Sequence, residues 1–401
     1  MDSEDISRTI AEIHPRIAAL RRDLHAHPEL AFGERRTSDI VAAHLEELGI
    51  ETHRGLAGTG VVGRLSSGAG SRAIGLRADM DALPLAEQNA FAHRSTCEGR
   101  MHACGHDGHT AMLLGAAEAL AARRDRFDGT IYFVFQPAEE HEGGGRVMVE
   151  EGLFNRFPMD MVFGLHNWPG LPAGGFGVIE GPVMAGADRF EITLTGHGAH
   201  AAMPHQGTDT VLAGAALVQA LQAVVSRDTD PVEPAVVSVT RFHAGHADNV
   251  LPETAVLGGT VRCFRPELQD ALEDGMRRIC RGIGAAHRVE VRLDFMRGYP
   301  PTINAAEPAA LCREVARRVV DEVAGKGAGG GQVFDRLKPS MGAEDFSFLS
   351  RVVPGCYAWL GNGPVEGGRM LHSPRYDFND AIIPVGIRYW VRLAESALPP
   401  A

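Results

Sequence analysis

Two short stretches carry most of the reactive side chains. The first is FVFQPAEEHEGGG, residues 133–145, where an apolar run ends at Pro137 and two adjacent carboxylates, Glu139 and Glu140, follow on a loop. Neighbouring acids on an extended loop point in different directions, so one can hold a metal while the other moves a proton. The second is MHACGHDGH, residues 101–109, with His102, Cys104, His106, Asp107 and His109 in close succession. A thiol and an imidazole two residues apart in a glycine-containing loop form a strong metal signal. Read as an extended loop, Cys104 and His106 converge, and Asp107 is placed to accept the second imidazole N–H, the usual way a ligand histidine is oriented. Cys104 as a nucleophile beside a histidine base is the competing chemistry; the acids downstream favour metal.

Further polar residues fall where strands end. Asp79 and Asp81 follow the apolar run before LRADMDALPL, and spacing puts Asp81 near the site as a supporting residue. His166 ends the apolar run 161–165 in GLHNWP, and His372 lies in a loop after CYAWLG. His25 and His27, beside Pro28, read as helix-end residues.

The elements that must position these groups follow from periodicity. Two helices span about 5–48, with Ile6, Ile10, Ile13, Ile17 and Leu20 at helical spacing. Strands then alternate with helices, including an alanine-rich helix over 111–122 and one over 146–153, which predicts a mainly parallel sheet flanked by helices. At GPVMAGA the character changes. Strand 188–195, helix 208–226, strands 235–242 and 254–264, helix 266–285 and strand 287–295 make a βαββαβ, ferredoxin-like series. The chain is therefore expected to be α/β, with residues 1–184 and 296–401 forming one domain and 185–295 inserted as another. A helix over 306–323, a glycine-rich loop over 325–331 and a helix over 382–398 complete it.

The 401 residues carry a net charge of -12, which argues against nucleic-acid or anionic-membrane partners. No run of about 18 apolar residues predicts a membrane span, and the acidic N-terminus lacks the apolar core of a secretory signal. The six cysteines have no framework spacing, as expected of reduced thiols in a cytoplasmic protein.

Ten motifs in order, RRDLHAHPEL, LRADMDALPL, MHACGHDGHT, FQPAEE, GLHNWP, GHGAHAAMPH, DNVLPE, GTVR, MGAEDFSF and LHSPRYDF, cover nearly the whole chain. Together they resemble the metal-dependent amidohydrolases of the aminoacylase and carboxypeptidase-G class, in the branch of hippurate and indole-acetyl-amino-acid hydrolases. The resemblance implies metal ligands at Cys104, His106, Glu140, His166 and His372, a general base at Glu139, and auxiliary residues at His200, Asn249 and Arg262 in an inserted lid that often dimerises. It implies a catalytic domain with a mixed sheet, two divalent ions (zinc, manganese, nickel or cobalt), and hydrolysis of small N-acyl amino acids. His200 would stabilise the tetrahedral oxygen, on its own or a neighbouring subunit, while Asn249 and Arg262 would grip the substrate carboxylate. A dipeptidase, a carbamoyl-amino-acid hydrolase, or a metal- or amino-acid-binding protein are the alternatives.

Overall fold

The computed structural model describes residues 2–324 and 331–400. The glycine-rich loop expected over 325–331 lies, but for Gly331, outside the described residues. The chain forms two compact units, Met1–Gly181 with Ile303–Lys338 and Asp345–Ala401, and Pro182–Thr302 with Pro339–Glu344. Pro339–Glu344, which pattern alone does not separate from its neighbours, packs with the second unit; Met184 bridges to Ser340 there.

The first unit holds an eight-stranded sheet in the order Glu51–Leu56, Gly60–Ser67, Gly129–Gln136, Ala73–Asp79, Met161–Pro169, Gly355–Gly363, Phe176–Gly177, Val333–Phe334. Its centre is parallel, with Gly129–Gln136, Ala73–Asp79, Met161–Pro169 and Gly355–Gly363 running side by side. Ile131, Phe133, Val134 and Phe135 are fully buried, as both faces of a covered parallel strand require. Helices Asp2–Ala26 and Ile383–Ala397 pack on the helix His106–Ala121. That helix is buried almost all round because its sequence is apolar on every face. The loops at the C-terminal ends of the four central strands are where an open parallel sheet places its reactive groups.

The helix expected over 111–122 starts earlier, at His106. Gly105 precedes it with φ +90°, a left-handed turn in which an added Cβ would run into the Asn167 amide and the Tyr376 hydroxyl. The helix expected over 146–153 is two short pieces, Gly144–Glu150 and Leu153–Arg156, separated at Gly152 with φ +91°.

The second unit has a four-stranded antiparallel sheet, with Ala235–Ala244, Thr254–Cys263, Gly186–Thr195 and Glu290–Tyr299 as neighbours in that order. With helices Thr210–Ser226 and Pro266–His287 this is the ferredoxin-like βαββαβ arrangement. Phe190, Ile192 and Leu194 alternate on the central strand and face the helices. Leu272, Met276 and Cys280 on the second helix, four apart, complete that core.

Candidate metal centre

The strand ends deliver the expected residues to one place. Cys104 Sγ lies 3.3 Å from His166 Nε2. His372 Nε2 lies 3.2 Å from Glu140 Oε1, and His106 Nε2 lies 3.8 Å from the same oxygen. Donor atoms of Cys104, His106 and His166 fall within 4.8 Å of one another, as do those of Cys104, Glu140 and His372, and those of His106, Glu139 and Glu140. Cys104 belongs to two of these groups and Glu140 to two, so the three interlock.

The donor set fits metal ions. Nε2 of His106 is buried and, among the described residues, has no hydrogen-bond partner; Asp79 Oδ2 stands 3.7 Å from it and Glu140 Oε1 3.8 Å. An unpaired buried polar atom is costly, and both carboxylate oxygens stand too far from it for a hydrogen bond. Burial pushes the Cys104 thiol well above its ordinary range, and the carboxylates of Glu140, Glu139 and Asp79 push it further. Burial works to lower the His106 pKa, but Asp79, Asp81 and Glu140 outweigh it and raise the imidazole to about 10. The acids therefore create a field that favours positive charge at Nε2, which is the field a divalent cation requires.

The residue that orients His106 is Asp81, not Asp107. His106 Nδ1 donates to Asp81 Oδ1 at 3.1 Å, and the Glu140 backbone N–H donates to Asp81 Oδ2 at 3.0 Å. Asp107, the next residue along the helix, turns away. Its carboxylate meets Arg21 Nε at 2.9 Å and His25 Nδ1 at 2.8 Å, and those cations outweigh burial and hold it well below the usual carboxylate range. Thus His25 has a structural role at its helix end, and His27 Nδ1 donates to the Asp23 carbonyl. Asp81→Asn leaves one acceptor for two donors and sets an amide N–H against the other; metal affinity is expected to fall about 10–100-fold, as chelator competition would show.

Further buried polar residues complete the floor. His109 Nδ1 donates to Asp79 Oδ1 at 2.6 Å, and its Nε2 accepts from the Asn167 backbone N–H at 2.9 Å. Asn167 also donates to the Cys104 carbonyl at 2.6 Å and accepts from the Tyr376 hydroxyl at 2.7 Å. Burial works to raise the Asp79 carboxyl, but His106, His109 and Arg77 outweigh it and drive it well below its ordinary value. His102 is buried and pushed down to about 4 by that burial, so it is neutral at neutral pH. His372 takes a left-handed φ of 62°, uncommon for a residue with a side chain, and its N–H donates to the Ala103 carbonyl at 2.8 Å. Neighbouring motifs in the sequence flagged His109 and His372, whereas the Asn167 and Tyr376 contacts depend on the fold.

Glu34 lies under the Glu139 loop. Burial raises its carboxyl to about 7, against the opposing hydrogen bonds from Thr59 and Ala138. A raised folded-state pKa means the folded protein holds the proton more tightly than the unfolded chain. The associated stability is fully present below the unfolded value of 4.5 and is lost as pH rises through about 7. Glu34→Gln is expected to match the parent in denaturant stability near the lower limit and to exceed it by up to about 3 kcal/mol on the alkaline side. A constant difference across that range would refute this.

The second unit holds the remaining expected residues. His200, exposed on Ala199–His200, is paired with Val250, and its Nδ1 accepts from the Ala202 N–H at 3.0 Å. Asn249, also exposed, accepts at its carbonyl from the Ala201 N–H at 3.0 Å, so these two residues are neighbours. Arg262 is not with them. It is half-buried in the sheet opposite Ala187, whereas the chain leaves for the His200 pair at Thr195 and Thr254. Eight residues of strand, roughly 26 Å, separate the two ends. Arg262 and Asn249 of one unit therefore do not grip the same carboxylate, a correction the register imposes.

A central parallel sheet whose strand ends gather a thiol, three imidazoles and paired carboxylates defines a metal-dependent hydrolase. The chain belongs to the peptidase family M20/M25/M40, whose model matches residues 75–396. It is 38% identical over 385 residues to a hippurate hydrolase of Campylobacter jejuni, covering 96% of this chain and 97% of that one. It is 46% identical over 309 residues to an N-acyl-L-amino acid amidohydrolase of Geobacillus stearothermophilus, covering 77% of this chain and 83% of the other. Its fold matches a dinuclear metal-binding M20 peptidase of Bacillus subtilis with a TM-score of 0.84 at 35% identity, over 98% of this chain and all of that one.

Proposed function

We propose that the protein hydrolyses the amide bond of N-acyl amino acids, releasing a carboxylic acid and a free amino acid. The observation that carries the reading is the interlocked set of Cys104, His106, Glu140, His166 and His372 with Glu139 at its edge. In this reading those five residues would hold two divalent ions. A thiolate favours zinc, nickel or cobalt over magnesium, and the family resemblance keeps manganese among the candidates. When bound, such ions supply a Lewis acid and bring the pKa of a water toward about 7.

The chain's own residues do the rest. Glu139 takes the proton from the attacking water and passes it to the leaving nitrogen, so one carboxylate serves as base and then acid. The Asp345 backbone N–H donates to Glu139 Oε1 at 3.4 Å. Asp81 holds His106 and the Glu140 backbone in register. His200 and Asn249 contribute donors for the tetrahedral oxygen and the substrate carboxylate; Arg262 is assigned a separate place on the sheet. A homodimer through the second unit is supported by its edge strand Ala235–Ala244, whose far half, 240–244, is exposed and includes Phe242. No helix among the described residues is long and apolar enough to cross a membrane. Free thiols at all six cysteines support a reducing, cytoplasmic setting.

Purified protein loaded in turn with zinc, manganese, nickel and cobalt, and offered benzoyl-, acetyl-, carbamoyl- and aminoacyl-amino acids, tests the reading. Cleavage of the benzoyl or acetyl compounds is expected. Turnover confined to the carbamoyl or aminoacyl compounds, or none at all, would replace it.

A further inference from the structure

The loop that carries Glu139 is gripped from outside by two buried acids that the reaction itself does not use. On one flank Glu34, fully buried, accepts from the Ala138 N–H at 2.9 Å, from the Phe32 N–H at 3.1 Å and from the Thr59 hydroxyl at 2.7 Å. None of these donors is a cation, so this carboxyl is buried without charge compensation, an expensive arrangement. On the other flank Asp345 accepts from the Gly145 N–H at 2.7 Å and from the Gln136 amide at 2.7 and 2.8 Å, and pairs with Arg77 at 2.9 Å.

Between these flanks the loop closes on itself. Ala138 has φ 56°, a left-handed conformation that costs energy for a residue with a Cβ, and its carbonyl accepts from the Gly144 N–H at 2.9 Å. A Cβ on Gly144 would collide with the Pro137 carbonyl, which leaves the turn no slack there. Glu34 occupies the position preceding helix Arg35–Glu47, and its side chain makes no cap. Glu29 serves instead, accepting from the Arg36 and Thr37 N–H groups at 3.0 and 2.9 Å. The Glu34 carboxyl is thereby committed to the residue immediately before Glu139.

We propose that Glu34 is a positioning residue for the general base: its hydrogen bond to the Ala138 N–H holds the strained turn that aims Glu139. The proposal rests on Glu139 as the base. It predicts a dependence on the acceptor atom and not on the charge. Glutamine keeps an oxygen for the Ala138 and Phe32 N–H groups and can donate to the Thr59 hydroxyl; leucine keeps the volume and loses the acceptor.

The test compares the metal-loaded parent with Glu34→Gln, Glu34→Leu and Glu34→Asp. Glu34→Gln is expected to keep kcat within about threefold. Glu34→Leu is expected to lose on the order of 10²-fold in kcat, the scale of a misplacement near 1 Å, with KM and metal content close to parental. Amide hydrogen exchange at Ala138 should accelerate in Glu34→Leu and stay protected in Glu34→Gln. Should the leucine variant not fold, Glu34→Asp, whose carboxyl is one methylene short, is expected to show the same pattern at about tenfold. Parental kcat in a folded leucine or aspartate variant overturns the proposal, as does a loss in Glu34→Gln equal to that in Glu34→Leu. If the parent cleaves no N-acyl amino acid, the functional reading fails, and exchange alone decides the role of Glu34: unchanged protection at Ala138 in the variants overturns it.

Discussion

Glu139→Gln should bind metal and substrate as the parent does and turn over at least about 10²- to 10⁴-fold more slowly, the range a positioned proton carrier contributes. The substitution is nearly isosteric, and the Asp345 N–H that meets Glu139 Oε1 finds an amide oxygen in the same place. The variant lacks a group that can take a proton from water and return it to nitrogen. An amide needs both transfers, because the amine is a poor leaving group until protonated. Metal content by elemental analysis and KM should stay near parental while kcat collapses, the signature of an interaction made only in the transition state. Near-parental turnover would remove Glu139 from the mechanism and shift attention to Glu140.

Stripping divalent ions with a chelator should have the second largest effect. Turnover is expected to fall at least about 10³-fold, since Lewis-acid stabilisation is worth several kcal/mol at about 1.4 kcal/mol per decade, and to return on adding back zinc, manganese, nickel or cobalt. Stability should fall with it, because Asp79, Asp81, Glu139 and Glu140 crowd one buried region and a cation offsets their repulsion. His106→Ala should reproduce the loss without recovery on add-back. Activity that survives chelation and dies on thiol alkylation would instead make Cys104 a nucleophile.

The strand ends carrying Glu139, Glu140 and His166 were legible because apolar runs and their polar termini mark buried parallel strands. The role of Asp107 is not legible in the pattern, because the helix begins at His106, ahead of its alanine-rich run. As the first two residues of a helix, His106 and Asp107 point about 100° apart, so the adjacent acid faces Arg21 and His25 while Asp81, from another strand end, meets the imidazole. Arg262 shows the same limit in a sheet: strand 254–264 was legible, but the register that sets it opposite Ala187 was not. Glu34 was invisible as a functional residue, since a hydrogen bond spanning 104 positions leaves no periodic trace.

The central pairing of Met161–Pro169 with Gly355–Gly363 has a consequence for how the protein is made. During synthesis the earlier strand emerges with its neighbour still about 190 residues from being translated, a wait of roughly 10–40 s at ordinary elongation rates. Throughout that interval an apolar strand edge is open to the wrong partner. Chains halted before Gly355 should therefore aggregate or be captured by chaperones, and yield of the finished protein should depend more on elongation speed and temperature than its eventual stability would suggest.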